Sequence, residues 1–240
     1  MDKKRSAFRR KINPLNKAWK VIDIWKGGTC VILGGGPSLN DVDLSLFHKF
    51  RVIGVNNAYG TPIKNKKGDK TLCYKPHPWV DICWFGDERW YRWHRKWLRK
   101  YPGLLCCCKE KMHGKDGIFG VCRGKPQGID IRPRFVAWNK SSGASAINFA
   151  YHLGVKRIIL LGFDMRRVDD SPNWHDDHPA PLKNPYVRFL KPFPIIAKEA
   201  KELGLEIINA TPGSALECFP IMTPQEVLDY CRTHKGKKDD

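Results

Sequence analysis

The apolar positions of this chain fall into short unbroken runs separated by amphipathic stretches. Runs such as Cys30-Val31-Ile32-Leu33 and Ile158-Ile159-Leu160-Leu161 carry no polar alternation, the pattern of strands buried on both faces. Strands are predicted over 29–33, 51–55, 82–84, 103–108, 157–161 and 206–209. Between them the apolar period lengthens to that of helices, predicted over 40–47, 87–100, 143–153, 193–203 and 224–232. This alternation predicts an α/β fold, a mostly parallel sheet with helices on both faces. At 240 residues, a single large domain is the default. Residues 1–20 read as a basic arm, 21–232 as the folded domain and 233–240 as a flexible tail, while the Gly- and Lys-rich segment 109–133 reads as a surface insertion.

Chemistry concentrates first at TCVILGGGPSL, where the opening strand runs into Gly34, Gly35, Gly36 and then Ser38. Strand, Gly-rich turn and helix together make a phosphate cradle: glycines admit the anion to backbone N–H groups, and the helix N-terminus adds partial positive charge. The bland alternative is a plain tight turn. A dinucleotide fingerprint is incomplete, because its third glycine position holds Leu39 and the second strand ends in Asn56 and Asn57 instead of an acidic residue. The segment therefore predicts a mononucleotide site, with the two amides contacting base, sugar or phosphate.

Charge narrows the partners. Lys and Arg number 43 against 24 Asp and Glu, a formal charge of +19. That favours an anionic partner such as a nucleotide, a nucleic acid or an acidic glycan. No apolar run reaches the length of a membrane span, and the basic start MDKKRSAFRRK leads into no apolar signal core, so a cytoplasmic protein is expected. The nine cysteines are odd in number and form no C-x-x-C pair, which argues against a disulfide framework. Cys106, Cys107 and Cys108 are adjacent, so a strand would point them to opposite faces, which suits a buried strand better than a zinc site. On the helix from Asp87, Trp90, Trp93 and Trp97 form a stripe expected to pack into the core, with a cationic base- or glycan-stacking surface as the alternative.

Two later clusters are candidates for chemistry. Lys140-Ser141-Ser142-Gly143 opens the helix at 143, so its hydroxyls either cap that helix or bind a phosphate or ribose. Asp164 follows the strand 157–161, where α/β folds place functional groups. The loop Asn173-Trp174-His175-Asp176-Asp177-His178-Pro179 then supplies imidazoles beside carboxylates. His175 or His178 suits a general base whose tautomer a carboxylate sets; the alternatives are a divalent metal site and a purely structural loop. Lys140 and Arg188 are candidates to stabilise phosphate charge.

The ordered set GGGPSL, Asn56-Asn57, SSG before a helix, IILLGFDM, a His-rich loop and EIINATPGSAL resembles, over about residues 28–228, the Rossmann-like superfamily that contains bacterial lipooligosaccharide sialyltransferases. That group also includes 6-hydroxymethylpterin diphosphokinase-like proteins and motility-associated glycosyltransferases. WHDDHP and NATPGSALECFP look closest to proteins of tailed bacteriophages, which would place the chain in a host cytoplasm. The resemblance implies a transferase using a CMP- or UDP-sugar. It implies nucleotide contacts at Gly34, Gly36, Ser38, Asn56 or Asn57, and Ser142-Gly143, with His175 or His178 as base. The family's tyrosines beside the donor phosphate have no matching pair here; the loop after Asp164 offers Tyr186. The pterin-kinase branch implies instead an Mg²⁺-dependent diphosphate transfer with Asp164, Asp176 and Asp177 on the metal. A non-catalytic nucleotide- or nucleic-acid-binding module is the third reading, and a homo-oligomer is compatible with all of them.

Overall fold

The structure is a computed structural model that describes residues 18–63, 73–167 and 185–234. Its main strands are β1 Thr29–Leu33, β2 Arg51–Val55, β5 Ile82–Phe85, β6 Leu104–Cys107, β7 Phe119–Gly120, β10 Arg157–Leu161 and β11 Glu206–Asn209. They form one seven-stranded sheet in the order β11-β10-β1-β2-β5-β6-β7. Every neighbouring pair is parallel. Outside it lie an antiparallel hairpin, β3 Gly60–Ile63 with β4 Cys73–Pro76, and a small parallel pair, β8 Cys122–Arg123 with β9 Phe135–Val136. The helices are α1 Glu88–Leu98, α2 Ser142–His152, α3 Tyr186–Leu190, α4 Phe193–Glu202 and α5 Pro224–Thr233.

The predicted α/β class holds, and strand alternation explains the two layers. Cys30 and Ile32 of β1 join the core with α2 and α4, while Val31 and Leu33 join the opposite core with α1 and α5. Cys106 and Cys107 divide in the same way. Helix ends follow local chemistry. The Asp87 carboxylate accepts from the Arg89 amide at 2.8 Å, and Thr223 and Glu226 form a capping box around Pro224. After α4, Gly204 takes φ +63° while Leu205 N–H donates to Ala200 C=O at 2.8 Å, closing the last turn.

Two expectations need correction. The helix predicted over 40–47 is two 3₁₀ turns, Pro37–Asp41 and Leu44–Phe47. Val42 is extended between them, and Asp43 restarts the chain by accepting from Ser45 N–H at 3.0 Å. The segment 109–133 supplies the edge strand β7 and buries Met112, Ile118, Val121 and Ile129. Ala18 and Trp19 are buried, and Trp19 packs on Phe119 and Phe149. On α1 the core face is Trp90, Tyr91, His94 and Leu98, and Trp93 is left 48% exposed. Among the described residues no helix is long and apolar enough to cross a membrane.

A candidate anion site at the carboxyl edge of the sheet

From β1 the chain winds outward through β2, β5, β6 and β7, and it returns to place β10 and β11 on the other side of β1. The boundary between β1 and β10 is thus the topological switch point, where α/β sheets open a crevice at their carboxyl ends. Both strands deliver candidate residues there.

The Gly-rich turn after β1 is closed by the chain itself. Gly34 N–H donates to Leu161 C=O at 2.7 Å and Gly36 N–H to Gly162 C=O at 2.8 Å. Ser38 donates to the Asp164 carboxylate from its backbone amide at 3.2 Å and from its hydroxyl at 2.8 Å. Only the Gly35 amide has no partner among the described residues. The glycines are needed for close approach, since a methyl on Gly34 would overlap Gly162 O and one on Gly36 would overlap the Asp164 carboxylate. Asp164 is 4% exposed and acts as a brace between β1 and β10. The NATPGSAL segment holds this brace: Thr211 and Ser214 hydroxyls bond Phe163 N–H and C=O at 3.1 and 2.6 Å, and Ala215 N–H donates to Asp164 C=O at 2.9 Å.

The paired amides after β2 have different fates. Asn57 is buried, taking Trp90 Nε1–H at 2.6 Å and donating to the Tyr74 hydroxyl at 2.5 Å. Its side-chain amide is thus engaged within the core. Asn56 stands at φ +51°, and its buried Oδ1 lacks a hydrogen-bond partner among the described residues. Buried carbonyls without partners are rare, and such backbone strain gathers at functional sites.

An open candidate site lies one step along the edge, at the start of α2. Asn139 and Lys140 both take left-handed φ, +54° and +52°, which turns the chain sharply into the helix. Asn139 is held by Gly128 N–H at 2.8 Å. Ser141 caps the helix, its hydroxyl accepting from Ala144 N–H at 3.4 Å. The Ser142 and Gly143 amides have no partner among the described residues. Ser142 lines a cavity of about 290 Å³ together with Gly86, Asp87, Cys108, Lys109, Arg123, Trp138, Lys140, Ser141 and Ser145. Arg123 binds the strand-end carbonyls of Cys108 and Gly86 at 3.0 and 2.9 Å and lies 4.9 Å from the Trp138 ring centroid. Lys140 has no carboxylate partner among the described residues. Burial pushes the Cys108 thiol up, so it stays protonated and is no nucleophile. A helix N-terminus, the Ser142 hydroxyl and Lys140 around one hollow suit an anion. The Phe163 ring fills the gap between this site and the Gly-rich turn, close under both Gly34 and Gly143.

Sequence reasoning found Lys140, Ser141, Ser142 and Gly143 but missed Lys109, Arg123 and Trp138, which reach the cavity only through the fold. The strand-end rule that singled out Asp164 would also have singled out Lys109. Burial, then the Asp164 charge, raises the Tyr186 hydroxyl above its ordinary value, which puts Tyr186 near the brace. Arg188 lies on α3 with its guanidinium 5.1 Å from the Phe189 ring centroid, and no bond joins it to the cavity among the described residues. His175, Asp176, Asp177 and His178 lie outside the described residues.

No family model and no curated protein matches the chain. Among solved structures it is similar to the sialyltransferase CstII from Campylobacter jejuni, analysed in complex with the substrate analogue cytidine-5'-monophosphate. The similarity spans 83% of this chain and 86% of that one, at 16% identity and a TM-score of 0.50. At that distance the two share the architecture, a Rossmann-like α/β fold.

Proposed function

We propose that the protein is a transferase that moves a glycosyl group from a nucleotide-activated donor, a CMP- or UDP-sugar, to an acceptor hydroxyl. The observation that carries this reading is the α2 N-terminus, where Lys140, Ser141 and Ser142 line a cavity at the carboxyl edge and the Ser142 amide has no partner among the described residues. The neighbour with cytidine-5'-monophosphate supports the fold as one that holds such a nucleotide. In the reaction, the acceptor oxygen bonds to the anomeric carbon as the bond from that carbon to the donor phosphate oxygen breaks. The nucleotide departs with the electron pair. Helix amides and Lys140 meet the charge that builds on the phosphate, and preorganised donors of this kind are often the largest part of catalysis. Asn56 is assigned to the nucleotide through its unpartnered carbonyl. Gly34, Gly35, Gly36 and Ser38 shape the floor, with Asp164 as a positioning residue. Either His175 or His178 is assigned to take the acceptor proton.

The test begins with thermal shifts for CMP, UMP, CDP, UDP, GMP and ATP, with and without Mg²⁺. A ligand at about 100 times its dissociation constant stabilises by roughly 2.7 kcal/mol. Pyrimidine nucleotides should shift the melting temperature, and Lys140→Ala should abolish most of that shift. Removing the catalytic histidine should lower turnover by about 10²–10⁴-fold while leaving the shift in place. Full turnover in His175→Ala, His178→Ala and the double variant would remove the base assignment. Absence of any pyrimidine shift, together with Mg²⁺-dependent AMP release from ATP, would replace glycosyl transfer with diphosphate transfer.

A further inference from the structure

We propose that one exposed stripe of α1 and the turn that follows it, formed by Arg89, Trp93 and Lys96 on the helix and Lys100 just past its end, is a docking surface for a single-stranded polynucleotide. These residues are spaced by four, three and four, which brings them onto one line of a helix. At the helical rise the line is about 16 Å long, the length of about five phosphates at the spacing of one stacked strand. Trp93 is 48% exposed, and a tryptophan is seldom left so open.

The neighbouring charges differ in a way that singles out this line. Arg92 is paired with Glu88 at 2.9 Å, and Arg95 and Arg99 converge on Asp116 at 2.7 and 3.6 Å. Lys96 and Lys100 have no carboxylate partner among the described residues, and Lys96 Nζ lies 4.5 Å from the Trp97 ring centroid. Arg89 reaches Asp87 at 3.7 Å, and Asp87 lines the anion cavity. The stripe therefore begins at the cavity and runs away from it.

An open indole beside the two unneutralised lysines Lys96 and Lys100 is how proteins hold single strands: bases stack on the ring while lysines meet phosphates. A membrane surface would need an apolar helix face, and on α1 that face is buried in the protein. An acidic glycan would use the lysines but offers no aromatic base to the indole. If the strand is the acceptor of the transfer, that part rests on the proposed function; the binding itself does not.

Anisotropy of a labelled oligothymidylate, titrated with the full chain at several salt concentrations, tests the inference. Trp93→Ala should weaken binding by about 5- to 150-fold, and Trp93→Phe should restore most of it. Lys96→Gln with Lys100→Gln should lower the slope of log affinity against log salt by about 1.4. Equal binding by wild type and Trp93→Ala overturns the proposal, as does an unchanged salt slope in the double variant. Tighter capture by heparin or phosphatidylserine vesicles, without dependence on Trp93, overturns it too. The CMP and UMP thermal shifts in the same variants report the donor reading separately, so failure of one is distinguishable from failure of the other.

Discussion

Substituting Gly36 by alanine separates the two roles that a Gly-rich turn can have. The new methyl would lie 2.6 Å from Asp164 Cγ and 2.8 Å from the Gly162 carbonyl oxygen, and it would overlap the carboxylate oxygen that accepts from Ser38. Overpacking of this kind costs about 1–3 kcal/mol, and displacing the carboxylate forfeits part of two charge-assisted hydrogen bonds, each worth about 1.5–3 kcal/mol. A destabilisation of about 3–4 kcal/mol follows on these ranges. With Asp164→Ala in the background the carboxylate is gone and only the Gly162 contact remains, so the cost of Gly36→Ala should fall to about 1–2 kcal/mol. Urea denaturation of wild type, both single variants and the double variant closes the cycle, with a coupling of about 2 kcal/mol expected. A Gly36→Ala protein as stable as wild type but unable to bind nucleotide would restore the phosphate cradle and refute the brace. Equal costs in the two backgrounds would show that Asp164 is not what the methyl meets.

Other substitutions test neighbouring statements. Asn57→Ala strands the Trp90 indole N–H and the Tyr74 hydroxyl in the core and should cost about 2–4 kcal/mol in urea denaturation, since each orphaned buried group costs about 1–3. Asn56→Gly should leave stability unchanged or raised, because glycine adopts φ +51° freely and the unpartnered carbonyl is removed. A large loss in Asn56→Gly would contradict this. The Asp130 carboxyl is held well below the usual carboxylate range by its hydrogen bonds with Arg132, aided by the Lys125 amide. Its folded pKa lies below its unfolded value of about 3.9, so its contribution is present above that pH and is lost as pH falls further. The stability gap between wild type and Asp130→Asn should therefore be full at neutral pH and narrow below about pH 4; a gap of constant size in urea titrations across that range would refute it.

The strands were legible because a strand covered on both faces must be apolar at consecutive positions, as at Val31-Ile32-Leu33 and Ile158-Ile159-Leu160. The helix starts near 87 and 224 were legible for a similar reason, since the groups that cap them lie within three residues. Trp93 was misread because spacing places residues on a stripe without saying which flank of the stripe meets the sheet. What the turn at Gly34–Ser38 packs against was not legible, for a deeper reason. Its glycines announce that something approaches closely, but glycine does not name what approaches, and the group that does is 126 residues away from Ser38.

By itself the sequence determined the layered α/β architecture, the order of its elements and the presence of a polar edge carrying glycines, serines and lysines. These follow from local period, burial and capping, which act over a few residues. Tertiary structure alone decided which edge donors stay open. Whether an amide is spent on a carboxylate or left open depends on the strand brought alongside it, so Asp164 closed the first turn and the start of α2 remained open.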